Sequence, residues 1–421
     1  MSVRCTDAGP GGLDPGSSLP CGAQCRPCHP PHVLLVYRTA FPAVRGGIDA
    51  MLLSLVRALP STGWRVSLLV PAGWDEPPGP SRSEVHGVTV FRMRLRSPRD
   101  RYRPWRGVLG WLRDLPEQWR TLRRLMIQEG VTLVHLQTLQ EEYVAFRLLR
   151  MLGGPPLLLT FHGSDANRLE PGGGLRGWLL RQVVGGVDAV SAVSDMLAAV
   201  VASRYPRWAP VPAVANGLDP AAVASLPPVP PEWAGCWVQV GWLAHHKAPD
   251  VAVRAWAEVV RQRPELTLLL VGDAVVGDDY LPALRGLIAQ LGLQHQVHLT
   301  GAMPREQALA VVRAGAGLLF TSRGEGLPYV LLEAGLLQQA VICSRIPAFA
   351  GFIEHGVDGW LVPVNDPAAL AEAVLRLSAD TVLAHNLGRA LGEKVRSRYG
   401  AEAMARGYAE LYRRIGGGSG T

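Results

Sequence analysis

A chain of 421 residues is longer than one ordinary hydrophobic core organises, so the expectation is two domains. Apolar residues make up 48% and charged residues 18%, the balance of a soluble enzyme. No uninterrupted apolar run reaches the ~18 residues of a membrane-spanning helix, which excludes that class of segment. The formal charge of +7 is unevenly placed: Arg92 to Arg124 holds 11 Arg against Asp100, Asp114 and Glu117, so the remainder is close to neutral.

The first 30 residues are rich in Gly, Pro and Cys and have no apolar core, which argues against a secretory signal. Reduced thiols are therefore expected. Cys25-Arg-Pro-Cys28-His29 has the outline of a c-type haem attachment motif. It is set aside because the match is short, prolines follow it and export is not indicated. A zinc clip of Cys21, Cys25, Cys28 and His29 is an alternative to a disordered head, and the disordered head is the expectation.

From residue 32 short apolar runs alternate with helix-like segments. The first set of predicted strands is 33–37, 65–70, 88–93, 133–137, 157–162, 189–193 and 211–215. A Pro-rich link, LPPVPPEW, occupies 226–233. The second set is 237–241, 266–271, 297–300, 318–321, 341–343 and 360–362. The runs are continuously apolar and do not alternate, the pattern of parallel strands buried on both faces with helical crossovers. The fold class is α/β, with two doubly wound Rossmann-like domains facing across a cleft. The expected boundaries are a head at 1–30, a first domain at 31–210, a linker at 211–235, a second domain at 236–398, a helix at 399–415 that packs back, and a tail at 416–421.

Ligands of such sheets sit beyond the carboxyl ends of the strands, so loops in that position are the candidates. After the first strand come Arg45, Gly46, Gly47 and Ile48; paired glycines let backbone amides approach a phosphate or sugar, and a plain turn explains them equally well. After 157–159 comes Thr160-Phe-His-Gly-Ser-Asp165, where His162 can hydrogen-bond a sugar hydroxyl. After 237–240 comes Gly241-Trp-Leu-Ala-His-His-Lys247, with Lys247 just before a helical run. A point charge beside a helix N-terminus suits a diphosphate. The chain has 40 Arg and only two Lys, Lys247 and Lys394, which makes each Lys worth examining.

The most informative stretch is Phe320 to Ala334, FTSRGEGLPYVLLEA. Gly324 and Gly326 flank Glu325, and Pro328 fits a first helical turn. Glu333 then stands about 8 Å along the axis at 1.5 Å per residue, among apolar neighbours, and a carboxylate so placed needs a partner. A ligand carrying both hydroxyls and phosphates, such as a nucleotide sugar, fits the combination.

These residues resemble the retaining glycosyltransferases of family 4 (glycosyltransferase group 1), which have the GT-B fold. The resemblance covers about residues 32–415. Its most specific part is the Glu, seven residues, Glu pattern of Glu325 and Glu333, supported in order by Arg45-Gly-Gly47, His162-Gly-Ser-Asp165, 187–194, Asn216-Gly-Leu-Asp219, Val271-Gly272 and 358–362. The resemblance implies that Glu325 and His162 act at the donor sugar. It implies that Gly46, Gly47, Gly241, Lys247, Gly326, Leu327 and Glu333 bind the donor, with Glu333 at the ribose and Lys247 at the diphosphate. It also implies no cofactor and no metal. Three positions depart from the pattern: Trp242 where many members have Arg, Pro328 in EGLP, and Gly351 in place of a Glu. Arg323 or Arg345 is the candidate to supply the missing charge.

The expected function is retaining transfer of a sugar from a nucleoside diphosphate sugar to a glycan or lipid-linked acceptor, in cell-surface polysaccharide or glycolipid synthesis. Alternatives are a degenerate GT-B subunit that binds without turnover and a GT-B epimerase. The expected location is cytoplasmic. Arg92 to Arg124, with Leu95, Tyr102, Trp105, Trp111 and Trp119 interleaved, is either a solvated surface or a patch for an anionic membrane. Nucleic acid is not expected, since no recognition motif accompanies the charge.

Overall fold

The computed structural model describes residues 30–38, 47–72, 80–85, 87–96, 104–167, 174–274, 279–325 and 329–417. The Cys-rich head, Gly46, Gly326, Leu327 and Pro328 lie outside the described residues.

Two sheets organise the chain. The first contains β1 (His32–Val36), β2 (Arg65–Pro71), β3 (Ser81–Val85), β4 (Val88–Met93), β5 (Leu133–Gln137), β6 (Leu157–Phe161) and β7 (Ala189–Ala192), in the order β3-β4-β2-β1-β5-β6-β7. The second contains β8 (Trp237–Val240), β9 (Leu268–Val271), β10 (Val297–Gly301), β11 (Gly317–Phe320), β12 (Val341–Ser344) and β13 (Trp360–Val362), in the order β10-β9-β8-β11-β12-β13. All pairings are parallel except β3 with β4. In each sheet the chain winds one way and then reverses. The reversal lies between β1 and β5 in the first sheet and between β8 and β11 in the second, the two topological switch points.

Continuous apolar runs form the central strands because helices cover both faces. Leu34, Leu35, Leu68, Leu136 and Leu159 are fully enclosed, as are Val238, Leu269, Leu318 and Ile342 in the second sheet. Two expectations are corrected. Strand β3 escapes an apolar-run search because it is an antiparallel edge strand of polar composition, with four of its five residues exposed. Residues 211–215 do not form a strand: only Ala213 bridges to Ala192, and Pro210 and Pro212 beside it cannot donate to a ladder.

The last helix, Ala401–Gly417, buries Ala401, Met404, Ala405, Tyr408, Ala409, Leu411 and Tyr412, a stripe at helical spacing. It packs on the first domain. The Tyr412 ring meets Trp64 edge-on at 5.0 Å, and its hydroxyl lies 2.7 Å from His135 Nδ1 on β5. One apolar cluster therefore runs from Val33 and Leu68 through Tyr408 and Tyr412 to Val238, Phe320 and Tyr329. The linker is drawn against the start of this helix by Leu218 N donating to Tyr399 O (2.9 Å) and Ala401 N donating to Leu218 O (3.2 Å). Gly217 permits the approach, since a Cβ there would lie 2.4 Å from the Gly400 carbonyl oxygen.

Tyr412 is one of two fully buried rings on that helix, so Tyr412→Ala is expected to lower stability by roughly 3–5 kcal/mol, the range for deleting a buried aromatic ring. Urea denaturation followed by Trp fluorescence measures it. A loss under ~1 kcal/mol would show that the helix contributes little to holding the domains.

Candidate active site

The second switch point places two loops side by side. One follows β8 and carries Lys247; the other follows β11 and carries Glu325. Lys247 Nζ forms an ion pair with Glu325 Oε1, and Ser322 Oγ donates to the same oxygen at 2.9 Å. The two side chains are 22% and 13% exposed, so the pair is shielded yet open to a ligand. Such a pair interacts more strongly than a surface one and can exchange partners without being buried outright.

The Lys247 loop is held by the strands beneath it. Gln239 Nε2 donates to Lys247 O at 3.0 Å, and Thr321 Oγ1 is 3.0 Å from Lys247 O and 2.9 Å from Ala248 O. Ala248 takes the left-handed conformation (φ 50°) and caps the helix Pro249–Gln262, which turns Lys247 back toward the strand end. Gly241 sits under the Lys stem, where a Cβ would come within 3.7 Å of Lys247 Cε. A Cβ on Gly272 would lie 1.9 Å from Gly241 O, so the neighbouring strand ends approach this closely only because residue 272 is glycine.

Arg323 clamps the two loops together. Its guanidinium donates to both Asp250 carboxylate oxygens (3.2 and 2.9 Å), to His245 O (2.5 Å) and to Asn365 Oδ1 (2.7 Å). Arg323 is thus committed to holding the site together and is not a spare charge for a diphosphate. Arg345 is exposed just beyond the end of β12, and Trp242 is exposed beside Gly241. The other lysine, Lys394, is structural: it pairs with buried Asp358 and donates to Phe352 O at 2.8 Å.

Glu333 is buried in the short helix Tyr329–Leu336, about one turn after its first described residue. Its partner is Arg305. The Arg305 Nε donates to Glu333 Oε1 at 2.8 Å, and Nη2 closes on the same oxygen. Burial raises the Glu333 pKa and Arg305 opposes that shift. Sequence reasoning missed Arg305, although a signal exists. It opens the helix Arg305–Ala314, where a cation opposes the helix dipole, and such a placement asks for a compensating carboxylate.

Gly47 opens the helix Gly47–Ala58 of the first domain, and a Cβ there would lie 2.8 Å from Tyr329 Cβ. Its neighbour is thus the first residue of the helix that carries Glu333. Tyr329 Oη in turn bonds Gly217 O in the linker.

His162 follows β6. The Asp165 carboxylate fixes its backbone, accepting from the amides of His162 (3.0 Å), Gly163 (2.8 Å) and Ala166 (3.1 Å). Its Nε2 is 2.7 Å from Gln137 Oε1. Among the described residues no hydrogen bond or ion pair joins His162 to Lys247 or Glu325. The structure therefore brings Lys247, Glu325 and Gly241 together, sets Gly47 against the Glu333 helix, and leaves His162 on the other sheet.

Two doubly wound sheets, each with polar loops at the carboxyl ends of its strands, are the GT-B architecture. The sequence pattern of "Glycosyl transferases group 1" matches residues 235–396, and that of "Glycosyltransferase Family 4" matches residues 45–222. The phosphatidyl-myo-inositol mannosyltransferase of Mycobacterium leprae is 26% identical over 390 residues, covering 88% of this chain and 94% of that protein. Over several other curated relatives the chain matches only 18–45% of their own length. Among solved structures, sucrose-phosphate synthase from Thermosynechococcus elongatus superposes with a TM-score of 0.72 at 22% identity, over 92% of this chain and all of that one. Anabaena HepE in complex with UDP superposes with a TM-score of 0.67 at 17% identity, over 91% of this chain and all of that one. The chain belongs to the group 1, family 4-like glycosyltransferases of GT-B fold.

Burial pushes the His162 imidazole down to about 4, and it also lowers His135 and His32. Their unfolded values stand near 6.5, so the unfolded chain binds more protons between about pH 4 and 6.5. Stability is therefore expected to fall as pH drops through that window. His162 alone accounts for up to roughly 2 kcal/mol between pH 6.5 and 5. Thermal unfolding of the wild type and His162→Gln at pH 7.5 and 5.0 checks this; a drop of the same size in both would remove His162 from the account.

Proposed function

We propose that this chain transfers a sugar from a nucleoside diphosphate sugar to an acceptor hydroxyl, with retention at the anomeric carbon. The observation that carries the reading is the Lys247–Glu325 pair at the switch point of the second sheet. An arriving diphosphate competes for the Lys247 ammonium and frees Glu325 for the donor sugar. The diphosphate oxygens then lie near the N-terminus of the helix Pro249–Gln262, whose dipole favours negative charge. The chemistry is electrostatic: positive charge meets the departing nucleoside diphosphate without a metal, while Glu325 steadies oxocarbenium-like charge on the sugar. In a front-face displacement the leaving phosphate takes the proton of the acceptor hydroxyl as the new glycosidic bond forms. HepE binding UDP, and a mannosyltransferase among the relatives, support a nucleotide-sugar donor.

The test uses the purified full chain. A panel of UDP-, GDP-, ADP- and TDP-sugars is screened by thermal shift, since a bound donor stabilises the fold. The stabilising donor is then used in transfer assays against glycan and lipid-linked acceptors. Glu325→Gln is expected to lower kcat about 100-fold or more, the scale of losing one preorganised electrostatic contact, with the melting temperature little changed. Full activity in Glu325→Gln would remove that role. Stabilisation by a donor with no acceptor-dependent release of nucleoside diphosphate would point to a binding subunit instead.

We further propose a lipid-linked acceptor reached at a cytoplasmic membrane surface, in polysaccharide or glycolipid synthesis. The support lies on the helix Pro104–Glu129, in a different set of side chains from the expected one. Trp111 is buried in the core, Trp119 is partly buried against it, and Leu95 is enclosed, so these are not free anchors. The exposed face instead carries Leu109 (59%) and Leu112 (51%) with Arg113, Arg120 and Arg124. Apolar and basic groups on one helical face suit an anionic interface. The protein is expected to co-sediment with phosphatidylglycerol vesicles at low salt and to dissociate as salt screens the charge. No sedimentation at low salt would end this part of the reading.

A further inference from the structure

Strand β5 sends His135 and Gln137 to one side, because side chains two apart on a strand share a face. Both are fully buried. His135 lies between hydroxyls, with Tyr412 Oη 2.7 Å from Nδ1 and Thr160 Oγ1 2.7 Å from Nε2. Thr160 Oγ1 continues to Ser191 Oγ at 2.6 Å. The Gln137 amide nitrogen sits against the same imidazole, 3.1 and 3.3 Å from its two nitrogens, while the amide oxygen lies 2.7 Å from His162 Nε2. A polar chain thus crosses three adjacent strands, from the C-terminal helix to the candidate His.

His162 ends this chain, and its Nδ1 is buried with no hydrogen-bond partner among the described residues. An amide oxygen only accepts, so the nitrogen facing it carries the proton and the lone pair of the neutral ring falls on Nδ1. The reverse amide orientation would instead bury an Nδ1–H donor with no acceptor, and orphaned buried N–H groups are rarer than under-satisfied acceptors. Asp165 does not compete for the ring, since the contacts of its carboxylate are to backbone amides.

We propose that Gln137 is a positioning residue that locks His162 in the Nε2–H tautomer, so that Nδ1 is presented as an acceptor to a hydroxyl of the bound sugar. The ligand class rests on the transferase reading; the tautomer does not. Tyr412, Thr160 and His135 hold Gln137 in turn, which ties the setting of His162 to the docking of the last helix.

The test is made first on the ligand-free full chain with 15N-labelled histidine. Two-bond proton–nitrogen spectra are expected to show His162 as a single Nε2–H species; an Nδ1–H species overturns the proposal. In Gln137→Leu the single tautomer is expected to give way to a mixture, and kcat/KM for transfer to fall by up to about 10-fold, the worth of one hydrogen bond. An unchanged tautomer in that variant also overturns it. Should Gln137→Leu not fold, the wild-type spectrum still decides. A nucleotide sugar that stabilises the wild type is then added: the Nδ1 resonance is expected to move, and an unmoved resonance overturns the ligand contact. Transfer by a chain whose His162 is Nδ1–H sinks the Gln137 role alone. An Nε2–H His162 in a chain that transfers nothing sinks the transferase reading alone.

Discussion

The meeting of one ammonium and one carboxylate at the reversal of the second sheet governs the site. Lys247 and Glu325 lie 78 residues apart in sequence. They touch because β8 and β11 are neighbours only where the winding reverses. Other parts of the site serve to hold that meeting. Gln239 and Thr321 pin the Lys247 loop from below, Arg323 and Asp250 lash the two loops from outside, and the glycine at 272 leaves room for the Gly241 carbonyl. A charge pair held this way is fixed in place by the scaffold around it, and under the proposed function that scaffold has no need to reorganise when an anion displaces one member.

The second level of organisation joins the domains. The Gly47–Ala58 helix of the first domain abuts Tyr329, Tyr329 bonds the linker at Gly217, and the last helix leaves the second domain to bury Tyr408 and Tyr412 in the first. These contacts share one apolar cluster, so the two sheets are not independent beads on a string. The candidate groups of both domains therefore rest on a common foundation, even though His162 makes no direct bond to the ion pair.

Much of the fold was legible because central parallel strands are apolar throughout, and such runs announce themselves. The edge strand β3 is polar and paired on one side only, so nothing in its composition marks it. The lysines at 247 and 394 stood out by scarcity, but scarcity does not separate roles: one faces Glu325 and the other is sunk against Asp358. Glu333 called for a partner without naming it, because Arg305 lies 28 residues earlier and meets it only through the packing of two helices. Gln137 was silent for the same reason; a glutamine at the end of a strand reads as ordinary until His135, His162 and Tyr412 are seen around it. Trp111 and Trp119 of the basic helix show the converse, since rings that read as interfacial in the sequence pack on the core.

The glycine at position 47 bears on how such a chain can change over time. With its α-carbon pressed against the base of Tyr329, the smallest possible addition would act as a wedge between the two halves. The halves cannot then drift independently at this seam. Every residue but glycine at 329 carries that same β-carbon, so a side chain at 47 survives only if the backbone of one half gives way.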